Sequence, residues 1–587
     1  MMSSETKNCI NCKTDFTIEP EDFSFYEKIK VSPPTFCPLC RAQRRMAFRN
    51  ERKLFRTEDA FTGKDIFSLY PPQANRKMIT ADEWYGDSWD AMEYGRDYDF
   101  SKPFFEQLFE LDKDVPALNL NVSRMIRSDY CANATSLKDC YLLFASQFSE
   151  NCLYGTQTDR SHDCVDNSNV ADSERSYECF WLENCYKCFF SIMCVQSTNL
   201  WFSRDCLGCT DCVGCVNLRN KSHCIFNVQY TKEEYEKELE KMKLNTIAGV
   251  KEMRAKSRKF WNTQLTKYNQ GIKNLNSSGS YVTECKNVND SFLVRESENI
   301  RFSQYMQVKG NKDCMDISMW GDHTELCYET CGSGSNSYGS KFLWDCWPNV
   351  RDCEYSMHLR SCSNCFGCVG LKKREYCIFN KQYTKEEYFE IVEKIKKHMD
   401  EMPYVDTMGN IYKYGEFFPI EFSPYGYNNS MVVDHFPLQK NEVIDKGYAW
   451  IDVPHGEYQI TKKSRDLPDD ILEVTSGILK EVIECENCQK AYRVIENELN
   501  FLKAENLPLP TFCIECRQSR RISDRLKIFL YERSCMCAGS ADETNTYKNT
   551  APHTHAENHC EEKFKTGYAP DRPEIVYCEK CYQQEVY

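Results

Sequence analysis

Cys9 and Cys12 are separated by two residues, as are Cys37 and Cys40, and 24 residues lie between the two pairs. Four thiolates in two C-x2-C pairs are the ligand number and type that close a tetrahedral structural zinc. The arrangement recurs near the other end as Cys485, Cys488, 24 residues, then Cys513 and Cys516. An offset of 476 superposes these cysteines and also carries Arg41, Arg44 and Arg45 onto Arg517, Arg520 and Arg521. Four unrelated buried thiols would not repeat at identical spacing, so one zinc module is used twice. Each second pair leads into a helix-like stretch, as in a treble clef where a knuckle and a helix N-terminus share the metal.

Beyond that helix the copies diverge. The same offset sets Asp59 opposite Cys535, and after 22 inserted residues the offset becomes 498, setting Thr80 opposite Cys578 and Glu83 opposite Cys581. The inserted region holds His553, His555, His559 and Cys560. A second zinc site is expected in the C-terminal module, drawn from Cys535 or Cys537, one of His555 or Cys560, and Cys578 with Cys581. Asp59, Thr80 and Glu83 are a poor zinc set, so the N-terminal counterpart is expected to have lost its metal. The expected total is about three structural zincs, none with an open coordination position.

On a helix turning about 100° per residue, Arg41, Arg44, Arg45, Arg49 and Arg52 share one broad face. Arg517, Arg520, Arg521 and Arg525 repeat it. Such a stripe beside a zinc knuckle suits phosphate contact in a nucleic acid or ribonucleoprotein. It equally suits pairing with the acidic remainder of a chain whose net charge is −14, and nothing in the stripe supplies base-reading aromatics.

The remaining 23 of the 36 cysteines lie in residues 131–377 and follow another rule. Many follow a loose motif in which a polar residue precedes the cysteine and an apolar or aromatic one follows, as in LKDCYLLF, SENCLYG and SYECFWL, with spacings that are multiples of three. Short strands at near-regular intervals predict a β-solenoid. The block is doubled: 214–242 matches 367–395 at an offset of 153. Across the repeat, Cys140 becomes Ser291 and Cys152 becomes Ile300. Isoleucine cannot replace a metal ligand but can replace a small core residue, so most of these thiols are expected to be interior fillers. The cluster Cys206, Cys209, Cys212 and Cys215 has spacing that suits a metal and stays unassigned. Each half ends in QYTKEEY, where Thr231 or Thr384 can cap a helix and Glu234 or Glu387 can close a capping box.

These elements order the chain. An N-terminal zinc module (1–58) precedes a degenerate second lobe and connector (59–116). The first solenoid half with its capping helix (117–242) is followed by a helical linker and loop (243–280) and the second half (281–400). An aromatic and Pro-rich connector (401–480) leads to the C-terminal module with its second lobe (481–587). The fold class is mainly β with α: treble-clef modules flanking a duplicated Cys-rich parallel solenoid with helical caps.

Catalytic spacings are missing: there is no phosphate loop, G-x-S-x-G elbow, H-E-x-x-H or dinucleotide fingerprint. The duplicated pairs Asp163/Asp166 and Asp313/Asp316 leave carbohydrate binding or processing along a solenoid groove as the alternative function. The start, MMSSETKNC, lacks the regions of a secretion signal, and the C-x2-C usage suits a reducing, cytoplasmic compartment. No apolar run approaches the ~20 residues of a membrane span.

The segment CINCKTDFTIEPEDFSFYEKIKVSPPTFCPLCRAQRR resembles a zinc-ribbon family of small bacterial modules, and the C-terminal copy resembles it with Phe501-Leu502 at the Phe-Tyr position. The whole chain, including GRDYDFSKPFFEQ and PEIVYCEKCYQQEVY, is similar to zinc-ribbon proteins of candidate-phyla (patescibacterial) bacteria. The resemblance implies cysteine at the places of Asp59, Thr80 and Glu83, and it implies no activity. The expected function is a non-enzymatic scaffold or interaction protein whose partner is a protein or a nucleic acid, with no membrane and no small-molecule substrate.

Overall fold

The computed structural model describes residues 3–452, 458–537, 549–555 and 559–587. Residues 122–225 form a parallel ladder in which paired residues are twelve apart: Val122 with Ala134, Ser168 with Phe180, Thr210 with Ser222. Every third residue from Asn121 to Phe226 has positive φ. Each coil is therefore four triplets, with a left-handed corner at every triplet. That conformation disfavours most L-residues, and Asn and Asp tolerate it best. They occupy many corners, among them Asn133, Asp139, Asn151 and Asn184.

The residue after each corner points inward. All thirteen cysteines between 131 and 224 fall at this position and are buried. The thiols of Cys140, Cys152 and Cys164 donate to the carbonyls of Lys138, Glu150 and His162 at 3.3–3.4 Å. Ser146 and Ser161 make the equivalent bond at 2.8 Å. A small side chain with one weak donor fills the narrow axis and satisfies a buried carbonyl. The polar–Cys–aromatic motif is thus corner, interior and outer face.

The second half repeats this plan with coils of uneven length: Ser297 pairs with Asn311, Lys312 with Glu325, and Ser363 with Glu375. Its ladder opens at Leu275, paired with Lys286, earlier than the expected boundary of 281. The NLNSSGS segment reads as a polar loop because Asn and Ser serve corners and interior as well as loops. The halves do not share a ladder among the described residues. They lie side by side, Trp181 packing on Tyr281 at 4.6 Å between ring centroids and Arg295 pairing with Glu183. Asn121 at the start of the first half donates to Asp345, so the two halves run in opposite directions.

Eleven helices occur among the described residues. The N-terminal module has a hairpin (Glu5–Asn8 and Asp15–Ile18), α1 (Pro20–Ile29) and α2 (Pro38–Ala47). The degenerate lobe carries α3 (Ala81–Tyr85), and α4 (Phe104–Asp114) sets Phe104 and Phe105 against Tyr355 of the second half. Helices α5 (Lys232–Lys241) and α7 (Lys385–Glu401) close the solenoids with the expected capping boxes at Thr231 and Thr384, and α6 (Ile247–Trp261) is the basic linker. The connector holds α8 (Lys440–Asp445) and buries Phe417 and Phe418. The C-terminal module contributes α9 (Glu496–Ala504), α10 (Ile514–Asp524) and α11 (Glu579–Val586). No helix among the described residues is long and apolar enough to cross a membrane.

Candidate metal centres and the arginine interface

The two C-x2-C pairs of each module converge. Cys9, Cys12, Cys37 and Cys40 bring their sulfurs within 4.8 Å of one another, and so do Cys485, Cys488, Cys513 and Cys516. Cys12 and Cys37 are 3.7 Å apart, as are Cys488 and Cys513. A tetrahedron with metal–sulfur bonds of about 2.3 Å has edges of about 3.8 Å, so each group has the size to hold an ion. Cys37 and Cys513 are the N-caps of α2 and α10, with Cys40 and Cys516 one turn in. The helix N-terminus and its amides favour negative charge there, against which the neighbouring thiols and burial push the thiols of Cys37, Cys40, Cys513 and Cys516 up. The backbone amide of Cys37 donates to Cys9 Sγ and that of Cys513 to Cys485 Sγ, both at 3.2 Å. The side-chain amides of Asn11 and Asn487 donate to Cys40 and Cys516 at 3.3 Å. Burial raises the Cys485 thiol, but the amides of Cys488 and Cys513 outweigh it and bring it to about 7.

The degenerate lobe keeps the geometry with other atoms. Thr80 caps α3, and Glu83 completes its capping box. The amide of Thr80 donates to Asp59 Oδ2 at 3.1 Å, where in the other lobe the amide of Cys578 donates to Cys535 Sγ at 3.2 Å. Asp59 Oδ1 also accepts from the amides of Phe61 and Thr62. Burial opposes ionisation of Asp59, yet these bonds and that with Glu83 hold its carboxyl below the usual range. A hydrogen-bonded cluster occupies the place that cysteines occupy in the C-terminal lobe.

That C-terminal lobe contains two groups. Cys535, Cys560, Cys578 and Cys581 form one, and Cys537, His553, His555 and Cys581 form the other. All the expected ligands, including both members of each pair of alternatives, are present. His553, which lies in the same insertion as His555 and Cys560 but is not among the expected ligands, joins them. His559 is exposed and belongs to neither group. Cys578 caps α11, and its hydrogen bonding with Cys535, against burial, brings the thiol to about 5. The cluster Cys206, Cys209, Cys212 and Cys215 places one thiol on each side of a single coil. Each donates to the carbonyl two residues back, and these four are not among the compact groups of the described residues.

The arginine stripes are not free for phosphate. Arg41, Arg44 and Arg45 are 1, 2 and 0% exposed, and Arg517 and Arg521 are 1 and 3%. Arg41 and Arg45 donate to the two oxygens of Asp316 at 2.9 Å, and Arg45 and Arg44 reach Glu329 at 3.0 and 3.1 Å. In the other copy Arg517 pairs with Asp166 at 2.6 Å, Arg521 with Asp166 at 3.3 Å and Arg520 with Glu178 at 2.5 Å. Arg49 pairs with Glu51, and Arg52 bonds Asp434 with both terminal nitrogens at 2.9 Å. Arg525 lies 3.7 Å from the same Asp434. The expectation that these nine arginines form a nucleic-acid face is therefore corrected: Arg41, Arg44, Arg45, Arg517, Arg520 and Arg521 turn inward onto solenoid carboxylates, and Arg49, Arg52 and Arg525 are taken up by Glu51 and Asp434 outside the solenoids. The docking is crossed, with the N-terminal knuckle on the second half and the C-terminal knuckle on the first.

The same pairing removes the carboxylates of the carbohydrate alternative. Asp166 and Asp316 are fully buried against arginine. Asp163 and Asp313 sit at coil corners, and Asp313 pairs with Lys28. Neither duplicated pair offers two carboxylates to one exposed groove. No protein-family model matches the chain, and no curated protein matches it either.

Proposed function

We propose that the chain is a non-enzymatic scaffold, fastened by structural zinc in its terminal modules, that holds twin solenoids rigidly side by side and presents their outer faces to a macromolecular partner. The observation that carries this reading is the repeated coupling of a four-thiol knuckle to a helix whose arginines are buried on solenoid carboxylates. Zinc suits these sites because thiolate-rich, closed tetrahedral sets select it and leave no position for a reacting water. The resemblance of both modules to zinc-ribbon proteins points the same way. Clustered thiolates and laddered thiols also need a reducing compartment such as the cytoplasm.

The test is chelation of the full chain, followed by zinc content, small-angle scattering and circular dichroism. We expect removal of zinc to increase the radius of gyration as the knuckles undock, while the β signal of the solenoids persists. Complete loss of zinc with unchanged dimensions and unchanged proteolytic resistance would sink the fastening role.

A further inference from the structure

We infer that the C-terminal lobe binds two zinc ions joined by the thiolate of Cys581, so that the protein carries four zincs rather than three. The inference rests on the zinc reading above and goes beyond it in stoichiometry and in the kind of centre.

The first group, Cys535, Cys560, Cys578 and Cys581, is a complete four-thiolate set, with Cys560 and Cys578 3.9 Å apart. An ion there leaves a second convergence unexplained. His553 Nδ1 and His555 Nε2 are 3.1 Å apart, and Cys537 Sγ lies 3.4 Å from the first and 3.3 Å from the second. Cys581 Sγ lies 3.4 Å from His555 Nε2 and closes the set. For nitrogen and sulfur ligands at about 2.0 and 2.3 Å from a tetrahedral ion, neighbouring donors sit about 3.3–3.8 Å apart.

The tautomers point the same way. His553 Nε2 lies 2.8 Å from Glu585 Oε1, in a pair whose side chains are 0 and 3% exposed. A proton on Nε2 directed at that carboxylate leaves Nδ1 as a bare lone pair aimed at the group. This is the carboxylate–histidine arrangement that orients metal-bound imidazoles. Glu585 is itself fixed by the amides of Thr550 and Ala551. His555 Nδ1 has no hydrogen-bond partner among the described residues, while its Nε2 faces the sulfurs. Nitrogen and sulfur lone pairs converging on one point repel unless a cation sits among them. A thiolate has lone pairs for two metals, and Cys581 is the one residue common to both groups. Five thiolates and two neutral imidazoles around two divalent ions leave a net charge of about −1, far less costly to bury than five thiolates around one.

Native mass spectrometry of the full-length protein provides the count. Four zincs are expected in the wild type, three in Cys537→Ser and in His553→Ala, and two in Cys581→Ser. Because a variant can lose metal by failing to fold, the wild type is also reconstituted with cobalt(II). A thiolate-bridged pair lowers the magnetic moment per ion through antiferromagnetic coupling. Three zincs in the wild type, or four with uncoupled cobalt, would overturn the bridged centre. Three zincs with the loss of one in both Cys40→Ser and Cys516→Ser would leave the knuckle reading standing. Zinc content insensitive to those two substitutions would overturn the knuckle reading instead.

Discussion

Glu178 shows how a single side chain fixes the assembly. It receives Arg520 from α10 and Arg254 from α6, so one carboxylate ties the C-terminal knuckle, the linker and the first solenoid together. Burial raises its carboxyl, but Arg520 and Arg254 outweigh that and hold it at about 2. A carboxyl depressed in the folded state stabilises above its free value of about 4.5, and the gain fades as pH falls toward 2. We expect Glu178→Gln to lower stability by about 3 kcal/mol at pH 7, and the gap from wild type to shrink by about 2 kcal/mol at pH 3. Urea unfolding of both proteins at the two pH values measures this, and a gap that stays constant would contradict it. Asp316 is engaged by Arg41 and Arg45, so Asp316→Ala should cost about 3–5 kcal/mol by leaving buried guanidinium groups unpaired. Arg127→Ala removes a pair whose arginine is 67% exposed and should leave the unfolding midpoint nearly unchanged, because solvent screens such a pair. At this scale the sequence shows the cysteine classes plainly. Paired C-x2-C spacing repeated at both ends marks the cysteines that converge in fours, and exchange of Cys152 for Ile300 marks the fillers. It does not show where the arginines point, since a helical stripe looks alike whether it meets phosphate or a carboxylate 270 residues away.

Among elements, the coil itself was half legible. Spacings in multiples of three announce the triplet, but the twelve-residue coil is a property of pairing, visible only when Ser168 meets Phe180. The capping helices were readable because Thr231 and Glu234 act within four residues of each other. The crossed docking was not, because it joins segments far apart in the chain. The corners make a direct prediction. Asn184 is exposed at φ 52°, so substitution there tests backbone conformation more than packing. Asn184→Val should cost about 1–2 kcal/mol and Asn184→Gly less than about 1 kcal/mol; equal midpoints in thermal unfolding would contradict the corner assignment. The interior makes another. Serine already occupies inward positions such as Ser149 and Ser161, so Cys152→Ser should cost about 1 kcal/mol or less and leave metal content unchanged. Loss of an ion from that variant would move the ladder into the metal-binding class.

The whole molecule is two copies of one plan, each lending its knuckle to the other's solenoid. Beyond the knuckles, the second lobes tie down the entrance to each solenoid. Met78–Ile79 pairs in parallel with Ala117–Leu118 before the first half, and Ile575–Tyr577 with Leu265–Lys267 before the second. Asp434 joins the two systems, because Arg52 of one module and Arg525 of the other converge on it. The N-terminal second lobe keeps this tie through Asp59, Thr80 and Glu83, whereas the C-terminal one keeps its cysteines. Such an arrangement makes the arginines structural, and charge reversal tests that role. With Arg41, Arg44 and Arg45 all changed to Glu, three carboxylates would face Asp316, Glu329 and Glu416. Like charges brought together at low dielectric repel strongly, so α2 should leave the second solenoid. Hydrogen exchange should then accelerate in α2 and in Asn311–Ser333, while α10 and the first solenoid near Asp166 keep most of their protection. Binding of labelled RNA and DNA across a salt series is the companion measurement. Buried guanidiniums release no counterions, so the intact protein should show no steep salt-dependent affinity through this face. A variant that keeps wild-type exchange protection but loses salt-sensitive nucleic-acid binding would reverse the assignment and return the stripes to an external role.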